Sequence, residues 1–394
     1  MTPVVTLPGH DCQLLYFTSS SLTADDRVLV FLAEADGCPN LHAVSLEDGV
    51  GRRLTDNHDG VLRSYVYFAG RPYAGLGKAS ISLDSARGIV YYLHGREIRR
   101  VDLAGRVDVL AEYPEGHVTG YTHVSADGRL LCVPTIEARA LDFDGLGTPG
   151  FPRNAIDARV QAENLTSFLR IYDTRTGDEV ACEPVPRGWV THVQFSPSDP
   201  RLILYNHEWP SDCGIRRIWL WDGATHRPLR SEGSGRSRMD WTCHEMWERD
   251  GSAIVYHGIL ADGTAYLGRR GLNATEPVEI ALPRAWTRYG HFTVGAEPGV
   301  LVSDGYFRAD DHDLAPACPW ISRIDADWQR ERLDWRPLCR ADSSWDSQDS
   351  HPHPVFDHAG DAGDAGAHVY FTSDRDGRRA IYRTPAPASM ASRP

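Results

Sequence analysis

The segment Gln348-Asp349-Ser350-His351-Pro352-His353 holds the residues of this chain best suited to chemistry. In an extended segment, positions i and i+2 share a face, so His351 and His353 can point at one ion. Gln348 adds an amide oxygen from the turn before them. Pro352 and Pro354 remove backbone donors, so the segment suits the start of an edge strand or the mouth of a cavity rather than a central ladder. Imidazoles plus an amide oxygen suit a borderline divalent metal. A surface His-Pro turn has the same local sequence, so the surrounding elements have to decide between the two.

The chain has 394 residues, enough for a large core, and no apolar run approaches the ~18 residues of a membrane span. Its net charge of -13 disfavours a nucleic-acid or anionic-membrane partner. Lys78 is the only lysine, so arginine supplies nearly all the positive charge. The cysteines at 12, 38, 132, 182, 213, 243, 318 and 339 form no CxxC pair, which argues against a zinc ribbon or a disulfide scaffold. Met1-Thr2-Pro3-Val4-Val5 has no basic segment leading into an apolar one, so the expected location is the reducing cytoplasm.

The elements that must position these groups form a repeat. A turn with Asp, Gly or Pro precedes a short apolar β-rich run; a polar turn and a second run follow. The first runs are Val28–Phe31, Ile89–Tyr92, Leu130–Val133, Leu202–Tyr205, Ile254–His257, Val300–Val302 and His368–Phe371. The second runs include Leu41–Val44, Ile98–Val101, Leu169–Tyr172, Ile218–Trp221 and Trp320–Ile324. Seven copies, spaced on the order of 40–70 residues, predict an all-β, seven-bladed β-propeller forming one domain over residues 1–394. No helix-period stretch of useful length breaks the pattern. The last unit is short of strands, so an N-terminal strand is expected to join the last blade and close the ring, with Leu14–Thr18 the expected segment. Asp142–Gln161 and Asp304–Pro319 read as long insertions on a face, where they can wall a cleft. The Asp-Ala-Gly repeat at Gly360–Gly366 reads as a hairpin tip.

Chemically capable residues recur at similar phase, near the turns between units. His192 and His207 flank the fourth unit's first run, and His244-Glu245 lies ahead of the fifth. His291 lies ahead of the sixth, and Gln348, His351 and His353 ahead of the seventh. A shared phase puts them near the axis on one face. His192 also reads as a hydrogen-bonded core histidine, His207 equally as core or site, and Arg217 equally as an ion-pair partner.

The residues that carry a family resemblance are Thr191-His192-Val193-Gln194-Phe195-Ser196-Pro197, Asn206-His207-Glu208 and Arg217-Ile218-Trp219. With them go His244-Glu245-Met246-Trp247, Asp250-Gly251 and Gln348-x-x-His351-Pro352-His353-Pro354. In this order they resemble the oligogalacturonate lyase family, whose members are seven-bladed β-propellers that use a divalent metal, usually Mn2+. They cut short pectic oligosaccharides by β-elimination in the cytoplasm. The resemblance implies His291, Gln348, His351 and His353 as metal ligands, His244 as the base, and Arg217 as the group facing the substrate carboxylate, with His207 also at the substrate. The chain departs from the pattern at Asn206, where a cysteine is expected, at Trp209, where a glycine is expected, and at Met246, where a phenylalanine is expected.

The residue types fit that chemistry by themselves. The C5 proton of a uronate is weakly acidic because the neighbouring carboxylate is negative. A cation and an arginine can neutralise that carboxylate, and a neutral histidine can take the proton. The implied partner is an acidic oligosaccharide. Trp209, Trp219, Trp241 and Trp247 could stack sugar rings, although Trp219 and Trp221 fit blade packing better. A metal-dependent hydrolase and a non-catalytic sugar- or protein-binding propeller are the competing readings. A serine peptidase is disfavoured by the lack of a G-x-S-x-G elbow.

Overall fold

A computed structural model of the chain describes residues 1–58, 78–146, 155–208, 217–230, 241–260, 262–282, 286–307, 319–358 and 367–386. Trp209 and the Gly360–Gly366 tip lie outside them, as does the side chain of Trp241. Seven antiparallel sheets follow one another along the chain, each ordered from an inner strand outward. This is the seven-bladed β-propeller expected from the repeat.

The apolar runs of the sequence are the second strands of the blades, for example Val28–Ala35, Ile89–His94 and Leu130–Glu137. They are covered on both faces by neighbouring blades, so they read as continuous hydrophobic stretches rather than alternating ones. Val30, Leu32 and Leu41 of the first blade pack on Val90, Tyr92 and Val101 of the second. Leu204, Ile218 and Leu220 of the fourth likewise meet Ile254 and Tyr256 of the fifth. Each such side chain stabilises the fold by roughly 1.5–3 kcal/mol.

The inner strands are Asp11–Leu14, Ser82–Asp84, His123–Val124, Val193–Phe195, Trp241–Trp247, Trp286–Val294 and Val355–Phe356, shorter than the second strand in all blades but the fifth and sixth. They line the channel. The N terminus does close the ring, but through Val4–Val5: Val4 N donates to Ile381 O at 2.8 Å, and Ile381 N to Val5 O at 3.1 Å. Leu14 instead ends the inner strand of the first blade, opposite Phe31. Leu15 is apolar because it packs between the first and second blades, and Tyr16 and Phe17 because they plug the channel, not because they form a closing strand.

The insertions also differ from expectation. The eight residues Ala155–Ala162 form a helix that buries Ile156 and Val160 against Ile136, Leu165 and Trp189. Barely two turns are too short for a 3.6-residue period to show in the sequence. Asp304 belongs to the strand Val300–Phe307, pairing with Ile321, so the second insertion begins later than its sequence suggested. No helix among the described residues is long and apolar enough to cross a membrane.

Candidate metal centre and active site

Two neighbouring inner strands bulge at the channel mouth. In the fifth blade Cys243 pairs with His257 and Met246 with Val255, so His244 and Glu245 together oppose Tyr256. In the sixth blade Tyr289 pairs with Gly305 and Phe292 with Ser303, so Gly290 and His291 together oppose Asp304. A bulge re-aims side chains that regular pleating would send into the blade. His244 takes φ +53° there. The two bulges touch, because His244 Nδ1 lies 2.9 Å from Gly290 O.

The seventh blade supplies the rest. Ser347 and Ser350 cap each other's backbone around the short 3-10 turn Gln348–Ser350. His351 then continues extended, but His353 adopts φ +44° between its two prolines. The same-face geometry expected of a plain strand is therefore replaced by a left-handed kink. The kink still brings the rings together: one ligand-capable atom from each of His291, His351 and His353 lies within 4.8 Å of the others. The ring centroids of His291 and His353 are 3.9 Å apart, and those of His291 and His351 5.2 Å.

These groups are buried. His291 is 1% exposed, His353 0%, His351 5% and Gln348 7%. His291 Nδ1 and Nε2, His353 Nε2 and Gln348 Oε1 have no hydrogen-bond partner. An unpaired buried polar atom costs about 1–3 kcal/mol, so unpartnered atoms on His291, His353 and Gln348, at a place where three imidazoles converge, fit a divalent ion in the channel. Burial holds the pKa of His291 and His353 well below the usual imidazole value, which keeps both rings neutral and their lone pairs free.

Around them stand two groups that motif reading missed. Asp304, fully buried, accepts from His291 N at 2.6 Å and from His353 N at 3.1 Å. Lys78 is 1% exposed; its Nζ donates to Gln348 O at 2.8 Å and lies 2.9 Å from His353 Nδ1. Burial lowers the Lys78 pKa to about 7 and raises that of Asp304 to about 6. Being the only lysine of the chain was the one sequence signal that Lys78 carried.

His244 sits beside this cluster, 4.3 Å from His291 between ring centroids. Its Nδ1 faces both Gly290 O and, at 2.7 Å, His257 Nε2, so Nε2 is its uncommitted nitrogen. Burial holds it neutral, with its pKa well below the ordinary value. Phe17 forms the floor, 5.2 Å from His291, 5.4 Å from His244 and stacked on His353 at 5.9 Å. Phe17 also lines a separate channel cavity of about 400 Å³, along with Asp84, His123, Gln194 and Met246.

Arg217 lies at the start of the strand Ile218–Trp221 and is 8% exposed. Its guanidinium donates to Glu208 Oε2 at 2.7 Å and to Glu245 Oε2 at 3.2 Å. Glu208 Oε2 also accepts from Thr191 Oγ1 and Asn206 Nδ2, each at 2.8 Å. His192 joins the group through Thr191 and Asn206, and its Nε2 meets Tyr16 Oη at 3.1 Å. His207 is not brought to Arg217's side chain. Its ring packs between Tyr205 and Trp219, at 5.8 and 5.3 Å, and only its backbone meets Arg217. Burial pushes its pKa down to about 3. The chain alternates here: Asn206 and Glu208 face Arg217 and His192, while His207 faces the blade interior.

A family model described as oligogalacturonate lyase matches residues 4–284. The chain belongs to the oligogalacturonate lyase family. Membership makes it a lyase. Oligogalacturonide lyase of Pectobacterium atrosepticum is 27% identical over 406 residues, covering 99% of this chain and 94% of that protein. Oligogalacturonate lyase of Dickeya dadantii is 25% identical, with the same coverage. These alignments span the region beyond residue 284 that carries His291, Gln348, His351 and His353. Two solved structures share the fold at 22% identity. One is an oligogalacturonate lyase in complex with manganese, with a TM-score of 0.74 over 98% of this chain and 92% of that one. The other is the oligogalacturonate lyase of Vibrio parahaemolyticus, with a TM-score of 0.75 over 98% and 93%.

Two departures from the oligogalacturonate lyase pattern have local explanations. The Asn206 amide oxygen accepts from the backbone of Thr191 and His192, at 2.9 and 2.8 Å, so this side chain builds the Arg217 pocket. Met246 is 7% exposed, packing in the core and reaching the wall of the channel cavity. Trp219 and Trp247 pack within and between blades, with Trp247 Nε1 donating to Gln194 O at 3.2 Å.

Proposed function

We propose that this lyase cleaves short acidic uronate oligosaccharides of the oligogalacturonide class by β-elimination, leaving 4,5-unsaturated products. The reading rests on one observation above all. Ligand-capable atoms of the buried His291, His351 and His353 converge beside a neutral His244, and the Gln348 amide oxygen is buried without a hydrogen-bond partner. His291, Gln348, His351 and His353 would hold the divalent ion, with Mn2+ supported by the manganese in a structural neighbour. When bound, such an ion supplies positive charge against the uronate carboxylate and makes the C5 proton more acidic.

The remaining work falls to the chain's own side chains. Arg217 faces the carboxylate with a planar guanidinium, and Glu208 and Glu245 fix that plane from two sides. His244 takes the C5 proton on Nε2, because Nδ1 is engaged by Gly290 O and His257. The C5–H electrons form the C4–C5 double bond as the C4–O4 bond breaks, and O4 leaves with that bond's electrons and takes up a proton from water or from the protonated His244 to become a hydroxyl. Tyr16 and Phe17 keep water from the floor of the site. All six described cysteines are free, which supports a reducing, cytoplasmic location.

The test is digestion of galacturonate oligomers with added Mn2+, followed by ultraviolet absorbance. Absorbing, double-bonded products are expected. Cleavage to saturated sugars would establish a hydrolase on this scaffold and reject the elimination.

A further inference from the structure

We propose that Asp304 is the positioning residue of the metal centre, orienting His291 and locking the His353 segment against it. The inference rests on the metal reading of the histidine cluster and adds a residue that neither motif nor family pattern supplied. Asp304 is the single residue opposite the Gly290–His291 bulge. A bulge breaks the ladder, so the His291 N–H loses a regular strand partner. Asp304 Oδ1 takes that N–H at 2.6 Å, and Ser303 Oγ donates to His291 O at 3.0 Å. Side chains of one strand thus hold both backbone groups of the histidine on the next.

The second carboxylate oxygen reaches across to another blade. Oδ2 accepts from His353 N at 3.1 Å, in the residue with left-handed backbone. The same oxygen lies 3.4 Å from His291 Nδ1. A carboxylate on that side favours the tautomer with hydrogen on Nδ1 and leaves the lone pair on Nε2. One buried side chain therefore sets the backbone of two histidines and the ring orientation of one.

Space for this contact comes from Gly290. A Cβ there would lie 2.0 Å from Asp304 Oδ1 and 2.5 Å from the Trp345 ring. Asp304 is 0% exposed. A group so enclosed, with both oxygens committed to the two histidine segments, acts through those histidines rather than on substrate.

The experiment measures Mn2+ binding by titration calorimetry on the whole chain, wild type against Asp304→Asn. Asparagine keeps the size but replaces one acceptor oxygen by an NH2 that faces a backbone N–H. We expect the variant to unfold near the wild-type temperature in the absence of metal, yet to bind Mn2+ about 10–100-fold more weakly. Unchanged Mn2+ affinity would overturn the inference while leaving the metal centre intact. Failure of the wild type to bind Mn2+ at all would instead reject the metal reading itself. Should Asp304→Asn not fold, the wild type still decides. Nitrogen-15 NMR of the Zn2+-loaded protein should show His291 bound through Nε2 with hydrogen on Nδ1, and ligation through Nδ1 would overturn the assignment.

Discussion

A single methyl group at Gly290 should disable the enzyme without replacing any residue assigned a chemical role. In Gly290→Ala the new Cβ meets Asp304 Oδ1 at 2.0 Å and the Trp345 ring at 2.5 Å. Ordinary carbon–oxygen contact needs over 3 Å, so the bulge or the carboxylate must move by roughly 1 Å. Neither neighbour is a flexible surface tip: Asp304 is fully buried and bonded twice, and Trp345 stacks on His351 at 4.4 Å. Overpacking of this kind costs about 1–3 kcal/mol of stability. The catalytic loss should be larger than that cost suggests. Gly290 O faces His244 Nδ1, and the next residue is His291, so one shift displaces both the proposed base and a proposed ligand. A misplacement of about 1 Å can reduce turnover on the order of 10²-fold. The assay is steady-state kinetics on galacturonate trimer with saturating Mn2+, paired with thermal unfolding. Turnover within threefold of wild type in a folded Gly290→Ala protein would refute the reasoning.

Other outcomes follow from the same geometry. His244→Ala should keep Mn2+ binding but lose roughly 10²–10⁴-fold in turnover; loss of the metal, read by elemental analysis, would make His244 a ligand instead. Arg217→Lys should fold, because an ammonium still sits between Glu208 and Glu245, yet lose most activity since it cannot make a two-pronged contact. Wild-type kinetics in that variant would leave Arg217 a structural ion-pair partner only. Acid should weaken the fold through buried neutral histidines. Burial lowers the His42 pKa from 6.5 to about 4, so between those values the unfolded chain binds more protons and stability falls as pH falls. Relative to His42→Gln, the wild type should lose about 3 kcal/mol between pH 7 and pH 4 in urea unfolding; a pH-independent difference would contradict this.

The fold was legible where both faces of a strand are covered. Second strands such as Leu130–Glu137 are buried almost throughout and announce themselves as apolar runs. The closing segment was harder, because Val4–Val5 is two residues long whereas the nearby buried run Leu14–Phe17 is longer and more apolar. At the site, the Gln348–His353 spacing led to atoms that do converge, although through a left-handed kink that spacing cannot encode. His207 attracted attention because imidazole is chemically versatile. Strand alternation turned it inward and presented Glu208, its neighbour, to Arg217. Asp304 was invisible for a related reason: its meaning depends on a bulge in a different strand, and bulges leave no residue signature.

The only lysine of this chain lies 1% exposed against the candidate metal site, so the outer surface carries no lysine amine at all. Reagents that attach dyes, cross-links or solid supports through lysine side chains will find nothing to react with on the intact propeller. The same fact turns Lys78 into a native gauge. Its Nζ is enclosed only while Gln348 O and His353 Nδ1 are in place against it. The rate at which an amine reagent modifies Lys78, read by peptide mass, therefore times how often that wall of the channel comes apart, with no label introduced.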